Sequence, residues 1–251
     1  MPFDFRGKKV LVTGAGKGIG RGVAIALNKA GSKVYALSRT KSTLDSLVEE
    51  CPDIIPIVAD LCDWEDTREK LEQLEVLDGL VNNAGIGGHD YDAVDCPKEY
   101  IKHILDNNLL SAINCSQVVA KKMIESKVKG SIINCSSVGS LAAYPRALPY
   151  SVSKAGMDMV TKQFALELGP NGIRVNSVNP AVVYTPLVQN LVENGTLSLE
   201  TVINNIPMGR ILTMEDIVDP IMYLLSDHSA MVTGQMHVVD GGCMSSLIVK
   251  V

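Results

Sequence analysis

The chain has 251 residues, 46% of them hydrophobic and 20% charged, with 28 acids against 23 bases and a net charge of −5. That is enough apolar material for a full core, while a mildly acidic chain with no run of like charges offers no electrostatic footprint to nucleic acid or to an anionic membrane surface. No segment approaches the roughly 18 uninterrupted apolar residues of a bilayer span, and the opening "MPFDFRGKKV" has no apolar leader region.

In chain order, Val- and Ile-rich runs alternate with amphipathic stretches: "KKVLVTG", "GIGRGVAIALNKAG", "KVYALS", "STLDSLVEECP", "IIPIVADL", "WEDTREKLEQLE" and "DGLVNNAG". That alternation predicts repeated βαβ units and a parallel sheet covered by helices on both faces. A long helical segment is expected from about Lys98 to Ser126, then the strand "GSIINCSS", and a second long helix from about Ser151 to Leu168. The strand "IRVNSVNP", an irregular stretch from about Val182 to Arg210, the helix "MEDIVDPIMYLLS" and a last strand near "MHVVDGG" complete the chain, with Pro220 expected at a first turn or a kink. Seven strand candidates without a linker between them predict one doubly wound α/β domain of Rossmann type over residues 1–251. The 182–210 stretch is too long for an ordinary connection and follows a strand's carboxyl end, which is the place for a substrate lid.

"TGAGKGIG" joins the first strand to the first helix, and Gly14, Gly16, Gly18 and Gly20 permit a tight turn beneath a helix amino terminus, where N–H groups and the positive dipole end suit a pyrophosphate. Position 19 is Ile, so the spacing departs from the GxGxxG fingerprint, and by itself the loop is equally a flexible connection. The second strand runs out at "VYALSRTK", where an NAD site would carry an acid and this chain carries Ser38 and Arg39. Arg39 presents a planar fork of donors for a phosphate dianion, with Lys17 in the glycine loop as a second cation, although both also read as solvated surface charges. Charge-assisted hydrogen bonds are worth about 1.5–3 kcal/mol each, so one or two would favour the phosphorylated cofactor by about tenfold to a thousandfold or more. The expected cofactor is NADPH or NADP+.

"TGAGKGIG", "NNAG" at 82–85, "YSVSK" at 150–154 and "NPAVVYTP" at 179–186 resemble, in order and spacing, the short-chain dehydrogenase/reductase family. Within it, "ECPDIIPIVADLCDWEDT" and "ALELGPNGIRVNSVNPAVVYT" are similar to the branch of L-xylulose reductases and tetrameric carbonyl reductases. The resemblance spans essentially the whole chain. It implies Tyr150 as the acid that protonates a carbonyl oxygen, Lys154 as holder of the nicotinamide ribose, Ser137 as a donor to the same oxygen, and Asn108 as the helix asparagine whose carbonyl holds a water. Ser137 and Tyr150 are also the implied substrate contacts, while Ser136 and Asn107 stand one residue away from these assignments.

The residues themselves support part of this. Tyr150 and Lys154 share a helix face, and a phenol that works near neutral pH needs a cation to stabilise its phenolate. A tyrosine with a helical lysine neighbour is also a common interface arrangement. The resemblance further implies an adenine contact at Asp60 and Leu61 and a carboxamide site at Val183 and Thr185. It places Asn83, Ala84 and Gly85 along the cofactor, a stretch that reads equally as bracing for the sheet. Ile19 and Thr40 complete the implied cofactor set with the glycine loop, Lys17, Ser38, Arg39, Tyr150 and Lys154.

The loop "VGSLAAYPRALP" is largely apolar around Arg146, so reduction of L-xylulose to xylitol and of α-dicarbonyls competes with reduction of bulkier steroid or lipid ketones. A non-catalytic nucleotide sensor is the reading from another class. The resemblance implies a homotetramer that buries the two long helices and the last strand, while the stripe Met157, Val160, Phe164 and Leu168 is the pattern of a core face, and the tail "CMSSLIVKV" is placed either on its own subunit or across to a neighbour. No metal is expected, since His89, His103, His228 and His237 lack ligand spacing. Cys51, Cys62, Cys96, Cys115, Cys135 and Cys243 contain no CxxC pair, and the end "SSLIVKV" is no peroxisomal address, both of which suit a reduced, cytoplasmic protein.

Overall fold

Seven short strands, each opening on or near a Val- or Ile-rich run, pair in parallel in the order β3-β2-β1-β4-β5-β6-β7. They are β1 (Lys9–Thr13), β2 (Lys33–Ser38), β3 (Ile55–Val58), β4 (Gly79–Asn82), β5 (Ser131–Cys135), β6 (Arg174–Pro180) and β7 (Met236–Val239). The computed structural model describes residues 3–88, 90–193, 195 and 197–245, with the backbone alone at Leu187. His89 and the tail segment 246–251, which the sequence raised as a histidine without ligand spacing and as a possible intersubunit arm, lie outside the described residues.

Alternation along each strand sends side chains to two cores. On one face Val10 and Val12 of β1, Ile133 of β5 and Val178 of β6 meet Val23 and Leu27 of α1 (Gly18–Lys29), Leu44 and Leu47 of α2 (Lys41–Glu50), and, through Ile217, Ile221 and Leu224, the helix Glu215–Leu225 near the chain's end. On the other face Leu11, Leu37, Leu80, Ile132 and Val175 meet Leu71 of α3 (Trp64–Glu72) and two long helices farther along. Helices therefore cover both faces, and strands buried on both sides read as continuous apolar runs, as β5 does in being buried at every residue.

The first long helical segment is α4 (Lys98–Leu105) and α5 (Ser111–Glu125) fused through a π turn at Asp106–Leu110. The second is α6 (Leu148–Leu168), which begins earlier than expected because Pro149 fits a helix's first turn. The stretch 182–210 is not irregular throughout: it contains α7 (Pro186–Glu193) and α8 (Leu199–Asn204). Its ends are pinned by a parallel bridge between Val183 and Leu212, with Tyr184 N–H donating to the Leu212 carbonyl at 2.8 Å and Leu212 N–H to the Val182 carbonyl at 3.3 Å. Pro220 lies inside α9 (Glu215–Leu225), past its first turn. Chain order reverses between β1 and β4, and the crevice outside their carboxyl ends is where an open α/β sheet binds its ligand.

Candidate active site

At the mouth of that crevice the glycine loop is cut to fit its surroundings. A methyl group at Gly14, whose φ is +65°, would lie 2.8 Å from Ala84 Cα, one at Gly20 2.4 Å from Asn83 Nδ2, and one at Gly16 within 3.0 Å of Ser38 Oγ. Lys17 precedes α1 and supplies no side-chain cap, so the helix presents its first N–H groups beside the crevice. The four glycines therefore form a close cradle, with Ser38 against its floor.

Thr13 holds this cradle to β4. Its hydroxyl donates to the Val81 carbonyl at 3.3 Å and accepts from Asn83 N–H at 3.0 Å and Ala84 N–H at 3.1 Å, while Asn83 Nδ2 donates to the carbonyls of Thr13 and Gly14 at 3.0 and 3.3 Å. "NNAG" thus braces the loop, and the same bonds set the edge of the crevice. Thr13 carries no pattern that marks it in the sequence.

Arg39 is exposed at the end of β2 and faces Asp60, with N–H1 to Oδ2 at 3.8 Å. Asp60 in turn accepts from Cys62 N–H at 3.1 Å. Thr40 caps α2 with its backbone, its carbonyl accepting from the Thr43 hydroxyl at 2.8 Å. Thr185 stands across the loop, 3.8 Å from where a methyl on Gly18 would be, and Val183 is buried at the pinned base of the 182–210 stretch. Ile19 and Leu61 are partly buried and pack against the two cores beneath.

The other wall is built from α6, the end of β5 and the π turn. Lys154 is only 5% exposed; its Nζ donates to the Cys135 carbonyl at 2.7 Å and stands 5.7 Å from the centre of the Tyr150 ring. Burial pushes the Cys135 thiol up to about 12 against the opposing pull of the Lys154 ammonium, so this cysteine is an inert neutral thiol. Ser137 and Tyr150 meet over Gly139, where a methyl group would lie 3.3 Å from Ser137 Oγ and 3.2 Å from Tyr150 Cε1. The Ser137 hydroxyl accepts from Gly139 N–H at 3.0 Å, an arrangement that directs its own proton outward to a further acceptor.

The two pairs of neighbours, Ser136 with Ser137 and Asn107 with Asn108, part in direction. Ser136 turns inward and donates to the Lys154 carbonyl at 3.2 Å, leaving Ser137 at the site. Asn107 folds back to donate to the His103 carbonyl at 2.8 Å, whereas Asn108 is fully buried and reaches into the site. Asn108 exchanges two bonds with the Ile86 backbone, at 2.8 and 2.9 Å, and donates to Ser153 Oγ at 3.2 Å, which donates to the Tyr150 carbonyl at 2.6 Å. The π turn is what rotates Asn108 inward from the helix, and such turns recur at functional sites.

A family model described as enoyl-(acyl carrier protein) reductase matches residues 14–244. L-xylulose reductase from Mus musculus is 42% identical over 246 residues, covering 98% of this chain and 100% of that protein. The chain belongs to the short-chain dehydrogenase/reductase family. Carbonyl reductase [NADPH] 2 from Sus scrofa is 43% identical over 98% of this chain and 100% of its own length. The solved structure of a short-chain type dehydrogenase/reductase from Mycobacterium marinum superposes with a TM-score of 0.91 at 32% identity, covering 98% of each chain. The seven-stranded sheet is the fold these relatives share, and membership makes this chain an oxidoreductase.

Among the described residues no group of His, Cys, Asp and Glu is gathered as a metal ion requires, no disulfide joins the cysteines, and no helix is long and apolar enough to cross a membrane.

Proposed function

We propose that this protein is an NADPH-dependent reductase that converts a carbonyl to an alcohol, with L-xylulose, reduced to xylitol, and α-dicarbonyls as its leading substrates. The observation that carries this reading is the convergence of Ser137, Tyr150 and Lys154 at the sheet's switch point, with the Lys154 ammonium 5.7 Å from the Tyr150 ring. The names of the curated relatives support carbonyl reduction with NADPH and the ketose assignment.

The close glycine cradle under the α1 amino terminus fits a pyrophosphate, and Gly14, Gly16, Lys17, Gly18, Ile19 and Gly20 would hold it. Arg39, with Ser38 and Thr40, would take the 2′-phosphate. Because the Arg39–Asp60 pair is exposed and long, turning Arg39 away from Asp60 to face a dianion costs little. Asp60 and Leu61 would flank the adenine, Asn83, Ala84 and Gly85 the middle of the cofactor, and Val183 and Thr185 the carboxamide. When bound, the reduced nicotinamide supplies the hydride for the carbonyl carbon. Tyr150 gives its proton to the carbonyl oxygen, and the Ser137 hydroxyl donates a hydrogen bond to that oxygen as charge develops on it. Lys154 stabilises the phenolate left behind, and Asn108 fixes the segment that follows β4 at Ile86 and, through Ser153, the start of α6.

The segment 182–210 acts as the substrate lid over this centre. A reading as a reductase of bulkier ketones draws on Leu141, Tyr144 and Leu148, large apolar side chains left exposed beside Tyr150. NADPH consumption measured side by side with L-xylulose, diacetyl and a steroid ketone decides between them. The ketose reading is lost if only the steroid is turned over, and carbonyl reduction itself is lost if none is.

The reading includes a homotetramer in the cytoplasm, in keeping with cysteines that form no disulfide among the described residues. Of the stripe Met157, Val160, Phe164 and Leu168, Met157 and Leu168 are buried, Phe164 packs partly buried against the core and Val160 is partly buried, and the opposite side of α6 leaves Val152, Met159 and Leu166 49, 60 and 74% exposed at heptad spacing, a face suited to a second copy.

A further inference from the structure

Tyr150, Lys154 and Asp158 follow one another at single-turn intervals along the inner face of α6. The first two have a part in the reaction; the third does not. Asp158 is only 6% exposed, and among the described residues no lysine, arginine or histidine pairs with its carboxylate. A carboxylate buried without a cation is costly, and it is tolerated where strong hydrogen bonds satisfy it. Here Asn179 Nδ2, at the end of β6, lies 2.9 Å from Oδ2 and 3.1 Å from Oδ1, and the Ser177 hydroxyl lies 3.2 Å from Oδ1.

The same amide nitrogen reaches the other way. It lies 3.0 Å from Ser140 Oγ and 3.3 Å from the Ser137 carbonyl, and the Ser140 hydroxyl itself donates to the Ser137 carbonyl at 2.7 Å. The carboxylate accepts from Asn179 Nδ2 while the Ser177 hydroxyl, 2.8 Å from Asn179 Oδ1, donates to the amide oxygen, and together they make Asn179 present its NH2 group inward. With that orientation set, the second amide proton is aimed at the turn Val138–Ser140, whose first residue is preceded by Ser137. Turning the amide over would set its oxygen against the Ser137 carbonyl, oxygen facing oxygen.

We infer that Asp158 is a positioning residue for carbonyl reduction: by orienting Asn179 it holds the Ser137–Ser140 turn so that the Ser137 hydroxyl stands over Gly139 beside Tyr150. This rests on the proposed role of Ser137 at the carbonyl oxygen. Asp158 touches neither substrate nor cofactor and acts through Asn179.

The test is a double-mutant cycle with NADPH and diacetyl, reading kcat, KM and the NADPH dissociation constant for wild type, Asp158→Asn, Ser137→Ala and the double variant. Asp158→Asn replaces the carboxylate by an amide that can donate as well as accept, which weakens the hold on the orientation of Asn179. We expect its kcat to fall about tenfold with NADPH binding unchanged, and the double variant to be no slower than Ser137→Ala alone, since residues that act through one another do not add. A purely structural role for Asp158 would make the two losses multiply. That multiplication, or an Asp158→Asn enzyme with wild-type kcat, overturns the inference while the role of Ser137 stands. A Ser137→Ala enzyme with wild-type kcat overturns the reading of Ser137 and the inference with it. If Asp158→Asn does not fold, Ser140→Ala takes its place in the cycle, because it removes the shorter of the two bonds from Asn179 to the turn, and the same two outcomes decide.

Discussion

At the scale of single residues, the arrangement around Gly139 places three chemical tasks within one small volume. The Tyr150 ring lies against Gly139 and its Cβ against Gly88, so replacing its hydroxyl by hydrogen leaves this packing intact. Tyr150→Phe is therefore expected to lower kcat by about 10²-fold or more, the usual range for losing a general acid, while a fluorescence titration still finds NADPH bound. Near-normal turnover in that variant would remove the phenol from the reaction. At the far end of the crevice, Arg39→Ala or Ser38→Asp is expected to raise the KM for NADPH about tenfold and to narrow its advantage over NADH, because one charge-assisted bond to the 2′-phosphate is lost or opposed. An unchanged NADPH:NADH ratio would leave Arg39 as a surface charge paired loosely with Asp60.

At the scale of elements, α6 works as a ruler that sets Tyr150, Lys154 and Asp158 on one line, and that much is legible from helical spacing alone. The strand ends that present Ser38, Asn83 and Ser137 are legible for the same reason, since a short apolar run followed by small polar residues is a local pattern. What spacing does not reveal is which side chains bind across the sheet. Thr13 and Asn83 meet only because β1 lies beside β4, and Asn179 finds Asp158 and Ser140 only because β6 lies beside β5 under α6. The π turn is hidden as well, because it shifts the helical register within a continuous helix; that shift separates the inward Asn108 from the outward Asn107.

The entry to α9 carries its own prediction. Asp216 accepts from Arg210 at 2.5 and 2.8 Å and from Thr213 N–H at 2.8 Å, and the Arg210 guanidinium, followed by that backbone bond, holds its carboxyl well below the ordinary range. A depressed value in the folded state means a stabilisation that is complete above the ordinary carboxylate range and is lost as pH falls through the folded value. Asp216→Asn should lower Tm at neutral pH, and the gap to wild type should close in acid. A gap independent of pH would assign the effect to packing.

For the whole molecule, the reversal of strand order between β1 and β4 brings the glycine loop, the second strand's end and the α6 wall to one edge of the sheet. Sequence alternation predicts such a sheet, and β5 throughout and β6 in all but its first residue are buried, as a sheet covered on both faces requires. The outer side of α6 is the face that the proposed tetramer would use. Leu166→Glu places a charge in the middle of its exposed apolar stripe, and light scattering coupled to size exclusion is expected to show a smaller species than wild type. An unaltered mass would move the interface away from α6.

The clasp between Val183 and Leu212 reaches beyond this one chain. Because both feet of the excursion are tied to each other, with Ile206 also sunk in the core, its outer turns can lengthen, shrink or change composition without disturbing the register of β6 and β7. Under the proposed lid role, changes beyond Thr185 retune which ketone is admitted while the carboxamide contacts proposed at Val183 and Thr185 stay as they are. Grafting residues 186–211 from a relative with different preferences is then a compact way to move substrate choice.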